Sequence, residues 1–293
     1  MSDFRLKVFR SVAKNLSFTK ASQELFVSQP AITKHIQELE AAYQTQGSRI
    51  SLTESGNLLL EHCERILEDY KRLEYEMHLL HNEYTGGLKL GASTTIAQYV
   101  LPPLLASFIG KFPQVSLSLL NGNSREIEAA LQEHRIDLGF VEGVFRLPNI
   151  RYTTFLEDEL VAVVRTGSKL AVGEEITPDE LFHLPLVLRE RGSGTLDVFE
   201  RALQQHNIKL SSLQVLMYLG STESIKLFLE HTDCLGIVSV RSITRELYSG
   251  QLRVVEIKGM PMLRDFSFAQ PQGQESGLAQ VFMQFAMHNN HKL

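Results

Sequence analysis

The 293-residue chain has no tryptophan and only two cysteines. Cys63 and Cys234 lie far apart, and neither has a nearby Cys or His at the spacing of a metal-ligand pair. A disulfide framework and a zinc knuckle are therefore excluded, and a reducing cytoplasm is the expected compartment. Charged residues recur throughout residues 1–30, which leaves no room for the uncharged apolar core of a signal peptide.

Long hydrophobic runs without polar residues are also lacking. The stretch Leu90 to Gly110 carries no charge and is long enough to span a bilayer. It nevertheless contains Ser93, Thr94, Thr95, Gln98 and the Pro102-Pro103 pair, which disfavour a membrane helix. We expect no membrane association.

No large excess of either charge is present. The net charge is −5, with 43% hydrophobic and 22% charged residues. These values are typical of a folded globular protein and argue against both disorder and a chain that coats nucleic acid along its whole length. The length predicts about two domains.

Sequence signatures of enzymes are missing as well. The histidines form no HExxH motif, and neither a phosphate-binding P-loop nor a dinucleotide fingerprint occurs. Ser193 lies in Gly-Ser-Gly, which is not the Gly-x-Ser-x-Gly of a hydrolase. We expect no catalytic site, no metal and no cofactor.

Three short helices are predicted at the N-terminus. An apolar stripe formed by Leu6, Val8, Phe9 and Val12 marks a first helix that stops near Asn15. Ser17 caps a second helix, Phe18 to Leu25. Ser28 caps a third, with Pro30 in its first turn, which runs to about Glu40.

The third helix has two contrasting faces. Ile32, Ile36 and Leu39 form the buried stripe, which leaves Gln29, Thr33, Lys34 and Gln37 on the wet face. Amides and hydroxyls on the second helix of a helix-turn-helix read base edges, and lysines meet phosphate. The same residues also occur on ordinary solvated helices. The face alone therefore does not distinguish a DNA-binding helix from a helix that is simply exposed to solvent.

The surrounding motif is more specific. Phe18-Thr19-Lys20-Ala21-Ser22, Val27-Ser28-Gln29-Pro30-Ala31-Ile32 and Leu52-Thr53-Glu54-Ser55-Gly56 resemble the winged helix-turn-helix of LysR-type transcriptional regulators. The resemblance implies that the third helix enters the major groove of double-stranded promoter DNA and that the segment around Gly47-Ser48-Arg49 forms the wing. The DNA-binding residues it implies are Thr19, Lys20, Ser28, Gln29, Pro30, Thr33, Lys34, Gln37 and Arg49. The rival interpretation is a ligand-binding protein whose N-terminal helices only mediate assembly.

One departure from the family lies before the wing. The family carries a Leu-Phe pair, a charged residue and Arg at this point, whereas here Gln44-Thr45-Gln46 continues directly into Gly47. About five residues are missing relative to that pattern. Either the wing is truncated or a loop has been omitted from the chain, and the loss of an apolar pair from a small core favours the second explanation.

A long amphipathic helix follows. From Leu59 to Tyr84, apolar residues alternate at spacings of four and three, as in the seam of a coiled coil. Such a stripe can also face the core of its own chain. The charged flanks favour pairing with a second copy, giving a homodimer or homotetramer whose seam comprises Cys63, Ile66, Tyr70, Leu73, Met77 and Leu80.

The pattern changes at Thr85-Gly86-Gly87, which we interpret as a hinge. Short apolar runs then alternate with helices, including one predicted at Ile96 to Gly110 and a strand at Leu160 to Val164, and this alternation predicts parallel sheets. The expected fold is α/β overall, with domains at 1–58 (all-α winged helix-turn-helix), 59–86 (coiled-coil linker helix and hinge) and 87–293. The resemblance implies that the last is a two-lobed, periplasmic-binding-protein-like effector domain.

Three predicted strand-to-helix junctions carry glycine and hydroxyl groups, which suit an anion at a helix N-terminus. Plain helix capping would use the same residues. The predicted effector residues, with Glu142 in the wall of the cleft, are Ser93, Thr94, Glu142, Arg189, Ser193, Gly194, Thr195, Ser221 and Thr222. Sulfite, sulfate or a small carboxylate is the leading candidate, and an aromatic carboxylate is the alternative. The junctions look like those of regulators of sulfur assimilation or carbon fixation, except that Leu196 stands where those relatives often have Arg.

Overall fold

The computed structural model describes residues 4–37, 43–46, 49–81, 84–170, 173–272 and 277–290. The chain divides into two compact units, Met1–Glu83 and Tyr84–Leu293. Within the described ranges, no helix combines the length and the hydrophobicity needed to cross a bilayer.

The first unit begins with three helices, α1 (Phe4–Asn15), α2 (Phe18–Leu25) and α3 (Gln29–Gln37). Ser17 caps α2 as predicted, because its Oγ accepts a hydrogen bond of 3.2 Å from the backbone N–H of Lys20. The predicted apolar faces meet in a small core of Val8, Val12, Ala21 and Ile32. The predicted extension of α3 to Glu40 lies outside the described residues, as do the side chains of Ile36 and Leu39.

The predicted wing contains two paired strands. β1 (Tyr43–Gln46) and β2 (Arg49–Leu52) are antiparallel, with Tyr43 opposite Leu52 and Gln46 opposite Arg49. Gly47 and Ser48 lie outside the described residues. Strand pairing is thus retained in the chain as it stands, without the residues that the family pattern would add.

Helix α4 (Glu54–His81) packs its first half against α1. Cys63 and Leu67 are buried beside Phe9 and Ala13, and the Sγ atom of Cys63 lies 3.2 Å from the carbonyl oxygen of Leu6. The prediction that Cys63 belongs to an intermolecular seam is therefore wrong. The stripe turns toward the chain's own core at this end of α4, and burial raises the pKa of the Cys63 thiol.

The second unit is built on a ten-stranded mixed sheet. Its strands are β3 (Gly86–Ser93), β4 (Val115–Gly122), β5 (Leu138–Glu142), β6 (Ile150–Arg165), β7 (Glu175–Ile176), β8 (Pro185–Arg189), β9 (Gln214–Leu219), β10 (Leu235–Ser239), β11 (Leu252–Ile257) and β12 (Leu263–Pro271). Its helices are α5 (Thr94–Tyr99), α6 (Leu101–Lys111), α7 (Ser124–Gln132), α8 (Gly194–Gln205), α9 (Thr222–His231), α10 (Thr244–Tyr248) and α11 (Gly277–Asn289).

Two parallel groups of strands flank a long antiparallel pair. β4, β3 and β5 are parallel, as are β9, β8 and β10, whereas β6 and β12 run antiparallel between the two groups. We call β3–β5 with α5–α7 and α11 the first lobe, and β8–β11 with α8–α10 the second lobe. The predicted parallel strands are present in each lobe, but the lobes also share the antiparallel strands β6 and β12, which the alternation did not indicate.

Three further expectations need correction. Gly86 and Gly87, predicted as part of a hinge, begin β3 and pair with Val115 and Ser116, and the division between the two units falls just before them. The single helix predicted for Ile96 to Gly110 is divided at Val100 into α5 and α6, because the Pro102-Pro103 pair begins a new helix. The strand predicted at Leu160 to Val164 is only the end of the 16-residue β6.

Candidate functional site

Parallel strands bring four junctions of the second unit together. Ser93 ends β3 and Glu142 ends β5 in the first lobe, while Arg189 and Leu219 end β8 and β9 at paired positions in the second. Carboxyl ends of neighbouring parallel strands lie at one edge of a sheet, where ligands bind in open α/β folds. The junctions predicted from sequence therefore lie on facing edges of the two lobes.

Arg189 links three of these junctions. Its Nη2 donates to Oγ1 of Thr94 at 3.4 Å and to the carbonyl oxygen of Gly220 at 3.3 Å. Glu190 accepts from Nε at 2.8 Å and from Nη2 at 3.0 Å. The guanidinium thus lies between the lobes, although only 2% of the residue is exposed.

Two buried donors at this place have no partner. Nη1 of Arg189 and the hydroxyl oxygen of Ser93, the residue next to Thr94, are both buried and without a hydrogen bond. An unsatisfied buried polar group costs about 1–3 kcal/mol, and more when it is charged. A bound ligand that accepts hydrogen bonds from both groups would recover that energy.

A buried ionic network joins the first lobe to the shared strands. Glu142 lies opposite Phe266 in the β5–β12 pairing, and Arg264 lies opposite Asp158 in the β12–β6 pairing. Residues two apart on a strand share a face, so Glu142, Arg264 and Asp158 point to the same side of the sheet. Nη1 of Arg264 lies 3.2 Å from Oε1 of Glu142, and its Nε donates to Oδ2 of Asp158 at 2.7 Å.

Two threonines from opposite lobes converge on the same carboxylate oxygen. Thr95 and Thr195 each donate through Oγ1 to Oε1 of Glu142 at 3.3 Å, and Nη1 of Arg264 donates to Oγ1 of Thr195 at 3.0 Å. The other carboxylate oxygen, Oε2, is buried without a partner. Glu142 therefore has one saturated oxygen and one free acceptor.

The lobes lie close together beside Glu142. A Cβ atom added to Gly194 would lie 2.3 Å from the backbone oxygen of Glu142. The backbone N–H of Arg125 also donates across the gap to the carbonyl oxygen of Gly192 at 3.2 Å. The lobes are closed on one another at this point, and only glycine fits at position 194.

A further polar contact crosses the cleft at Tyr99. Its hydroxyl donates to Glu223 of α9, whose carboxylate also lies 2.7 Å from Nζ of the buried Lys226. Lys226 is further held by Glu246 at 2.8 Å. Burial and the hydrogen bond to Glu223 raise the pKa of Tyr99; burial alone would raise the pKa of Glu223, but its bonds to Lys226 and Tyr99 outweigh that effect and lower it.

A cavity of about 320 Å³ lies beside the network, lined in part by Ser124, Arg125, Glu142 and Asp197. Burial raises the pKa of Asp197 to about 6, although the nearby Arg125 opposes the shift. Within the described part of the chain, no group of three or more His, Cys, Asp or Glu side chains could hold a metal ion.

The structure brings most predicted effector residues into the cleft but assigns several of them internal partners. Those that are buried are Ser93, Thr94, Glu142, Arg189, Ser193, Gly194, Thr195 and Thr222. The hydroxyl protons of Thr94 and Thr195 are directed to Gly122 and Glu142, while Ser193 and Ser221 cap α8 and α9.

Sequence reasoning missed Thr95, Asp158 and Arg264. Asp158 lies between Glu157 and Glu159, and three consecutive acidic residues indicate an exposed, solvated segment. Arg264 lies in β12, and only the strand register reveals that it faces Asp158. A usable signal did exist for Lys226, which occupies an apolar-stripe position of α9 between Thr222 and Leu229.

The predicted DNA-reading face is largely exposed. Thr19, Lys20, Ser28, Gln29, Pro30 and Lys34 are exposed, and Thr33 is half-buried. Thr19 on α2 donates to Oε1 of Gln29 at 3.4 Å, which orients that amide. Thr33 donates to the backbone oxygen of Gln29 at 3.1 Å. The side chains of Gln37 and Arg49 lie outside the described residues.

An apolar face remains on α4 beyond its contact with α1. Ile66 and Leu73 are 41% and 45% exposed, Met77 is similarly exposed, and Tyr70 is half-buried. The side chain of Leu80 lies outside the described residues. The exposed positions follow the spacing of a coiled-coil seam.

Comparison with known proteins agrees with this architecture. Residues 4–57 match the model of the bacterial regulatory helix-turn-helix protein, lysR family, and residues 81–290 match the LysR substrate binding domain. The chain is 34% identical over 258 residues to the uncharacterized HTH-type transcriptional regulator YeiE of Escherichia coli, covering 86% of this chain and 85% of that protein. It is 30% identical to the HTH-type transcriptional activator CmpR of Synechocystis, covering 96% of this chain and 93% of the relative.

A solved structure of the regulatory domain of Synechocystis CcmR in complex with 2-PG is also similar. It has a TM-score of 0.63 and 28% identity, and the match covers 70% of this chain and 97% of that one. With both family models matched across nearly the whole sequence, the chain belongs to the LysR family of transcriptional regulators, which bind promoter DNA, respond to small-molecule effectors and form oligomers.

Proposed function

We propose that this regulator binds a small anion between the lobes of its second unit and that binding changes how paired DNA-binding heads engage a promoter. The observation that carries the proposal is Arg189, a buried guanidinium between the lobes with an unpartnered Nη1. Anion binding at this place would satisfy Nη1 together with the unpartnered hydroxyl of Ser93.

Helix geometry adds to this preference. The N-termini of α8 and α9 follow the carboxyl ends of β8 and β9, so the positive ends of two helix dipoles lie at the same edge of the sheet. The helix N-termini favour negative charge, whereas the pairing of Arg189 with Glu190 reduces its net charge. We infer that the site recognises an anion mainly through directed hydrogen bonds.

The ligand of the similar CcmR regulatory domain agrees with this ligand class. The CcmR regulatory domain was solved with 2-PG, and 2-PG is therefore a suitable probe for this chain beside sulfite, sulfate and phosphate. Most donors in this cleft belong to Ser, Thr and Arg side chains, which favours a small oxyanion over an aromatic carboxylate. No observation on the described residues favours the aromatic alternative.

For DNA recognition, we infer that α3 reads base edges through Gln29 and contacts phosphate through Lys34. Gln29 is exposed and already oriented by Thr19, which reduces the entropy lost when its amide binds a base. The opposite face of α3 is anchored by Ile32, which is fully buried.

For assembly, we infer that Ile66, Tyr70, Leu73, Met77 and Leu80 of α4 form the seam between two copies. A dimer places two reading helices on successive half-sites of one DNA molecule, so a change in the arrangement of the copies alters half-site spacing. Promoter binding places this function in the cytoplasm. Members of the family are in general non-enzymatic DNA-binding proteins, and we propose that this chain likewise has no catalytic activity.

Titration calorimetry on the full-length protein tests the anion site. Phosphate, sulfite, sulfate and 2-PG are compared with neutral and cationic compounds, using Arg189→Met as the site variant. Arg191→Met is the matched control, because Arg191 belongs to the same loop but is exposed and paired with Glu200. We expect anion binding in the wild type and in Arg191→Met, with a loss of about 10-fold or more in Arg189→Met.

Selective binding of neutral or cationic compounds, or equal anion affinity in the two arginine variants, would contradict the proposal. A gel shift on the DNA beside the protein's own gene tests the DNA-binding activity independently of the ligand.

A further inference from the structure

The cleft contains an unused acceptor as well as unused donors. Oε2 of Glu142 is buried and has no hydrogen-bond partner, although Oε1 of the same carboxylate receives three contacts. The protein thus provides hydrogen-bond and ion-pair partners for Oε1 but none for Oε2. An anionic ligand would ordinarily avoid a carboxylate, so the free oxygen needs a specific explanation.

Glu142 is connected through hydrogen bonds to the segment that carries the unpartnered donors of the cleft. Thr95, which donates to Oε1, lies two residues after Ser93 on the same turn that leads into α5. Thr94, between them, contacts Arg189. One short segment of the first lobe therefore connects the unpartnered donors of Ser93 and Arg189 to the carboxylate of Glu142.

The surroundings also hold Glu142 in place beside a positive charge. The guanidinium of Arg264 lies 3.2 Å from Oε1, and both side chains are almost completely excluded from solvent. The close approach of Gly194 further restricts the Glu142 backbone. A carboxylate that is held in an ion pair can only accept hydrogen bonds at its free oxygen.

We propose that the effector is an oxyanion that carries its own hydroxyl proton and donates it to Oε2 of Glu142. This inference rests on the proposed anion site and deepens it. A fully deprotonated oxyanion would place lone pairs against a buried carboxylate. A site built around a ligand hydroxyl rejects an analogue that lacks it, so the carboxylate acts as a filter between anions of the same size.

Inorganic phosphate and sulfate test this inference, because they have the same shape and differ in protonation near pH 7. Calorimetry on the full-length protein at pH 7 and constant ionic strength measures the affinity ratio. We expect the wild type to prefer phosphate by about 100-fold or more. In Glu142→Gln the amide can donate a hydrogen bond, so the preference should fall to near unity or reverse.

Glu190→Gln is the matched control, since Glu190 also lies beside Arg189 but has both carboxylate oxygens occupied by it. This variant should change the affinity for both anions and keep their ratio. If Glu142→Gln fails to fold, Glu142→Asp retains the charge, and it should weaken phosphate binding while still rejecting sulfate.

The outcomes separate the two proposals. Wild-type protein that binds sulfate as tightly as phosphate, or a Glu142→Gln variant with an unchanged ratio, would overturn the proton filter and leave the anion site standing. Absence of binding by phosphate, sulfate, sulfite and 2-PG would overturn the anion site and the filter with it.

Discussion

Gly194 of the second lobe packs directly against the backbone of Glu142 in the first lobe. A Cβ atom at Gly194 would lie 2.3 Å from the Glu142 oxygen and 2.5 Å from its carbonyl carbon, so neither flexible side chains nor solvent could absorb the overlap. The closed arrangement of the lobes therefore depends on the absence of a side chain at this position.

Gly194→Ala should hold the lobes apart. We expect a loss of about 1–3 kcal/mol in the free energy of unfolding of the second unit, as for other overpacked sites, and weakened anion binding. Denaturant unfolding and calorimetry measure the two effects. Gly110→Ala is the control, because nothing lies within 4 Å of its added Cβ and alanine favours the helix. Equal stability and equal affinity in the two variants would show that the close contact has no role.

Asp197 predicts a pH dependence of stability. Its carboxyl group has a pKa of about 6 in the fold against 3.8 as the ordinary value, mainly because it is buried. The folded protein therefore retains a proton that the unfolded chain has released, and stability falls as the pH rises from about 4 to about 6. Because the side chain is only half-buried, we expect this effect to be about 1 kcal/mol.

Asp197→Asn should remove this dependence, so its melting temperature relative to the wild type should rise between pH 4 and pH 7. Thermal unfolding across that range measures the difference. The same exchange at the exposed Asp179 controls for the loss of one negative charge. A difference between Asp197→Asn and wild type that does not change with pH would contradict the assignment.

The DNA-reading face predicts two different phenotypes. Gln29→Ala should relax preference at one base position by about 1–3 kcal/mol, because a lost base contact carries sequence information. Lys34→Ala should weaken binding to all sequences alike and reduce the salt slope by about 1. Anisotropy with specific and scrambled DNA at several salt concentrations distinguishes them.

Lys89→Ala provides the control for this test, since it removes the same charge from the second unit. Unchanged sequence preference in Gln29→Ala, or a salt slope in Lys34→Ala equal to that of Lys89→Ala, would refute the roles given to α3.

The α4 face predicts a shared loss of assembly and DNA binding. Leu73→Glu places a carboxylate in the proposed seam at a cost of several kcal/mol, so both activities should fail together. Light scattering and anisotropy measure them on the same sample. Glu61→Lys changes a charge on an exposed position away from the seam and should leave the oligomer intact. An undisturbed oligomer in Leu73→Glu would mean that the seam lies elsewhere.

Local patterns in the sequence were sufficient to predict much of the fold. The cap Ser17 and the buried Ile32 depend on neighbours within a few residues, and both features are confirmed. Cys63 shows the limit of periodicity. Spacing identifies an apolar stripe but cannot tell whether the residue packs against its own chain, as Cys63 does beside Phe9, or against a second copy.

The interior of the candidate site was harder to predict. Arg264 meets Asp158 and Glu142 only because of the register of β12 against β5 and β6, which lie far earlier in the chain. The role of Thr95, next to Ser93 and Thr94, was also missed, since its partner Glu142 lies 47 residues further along the chain. Strand-to-helix junctions indicate where a ligand binds, but the hydrogen bonds already made within the fold decide which groups remain for that ligand.

Coupling between the cleft and DNA is tested most directly by footprinting the full-length protein on the DNA beside its own gene. Wild type, Arg189→Met and Arg191→Met are compared without anion and with phosphate, sulfite or 2-PG at constant ionic strength. The account predicts that an anion changes the length or spacing of the protected region in the wild type and in Arg191→Met, but not in Arg189→Met. Identical wild-type footprints with and without every anion, or the same anion-dependent change in Arg189→Met, would contradict it.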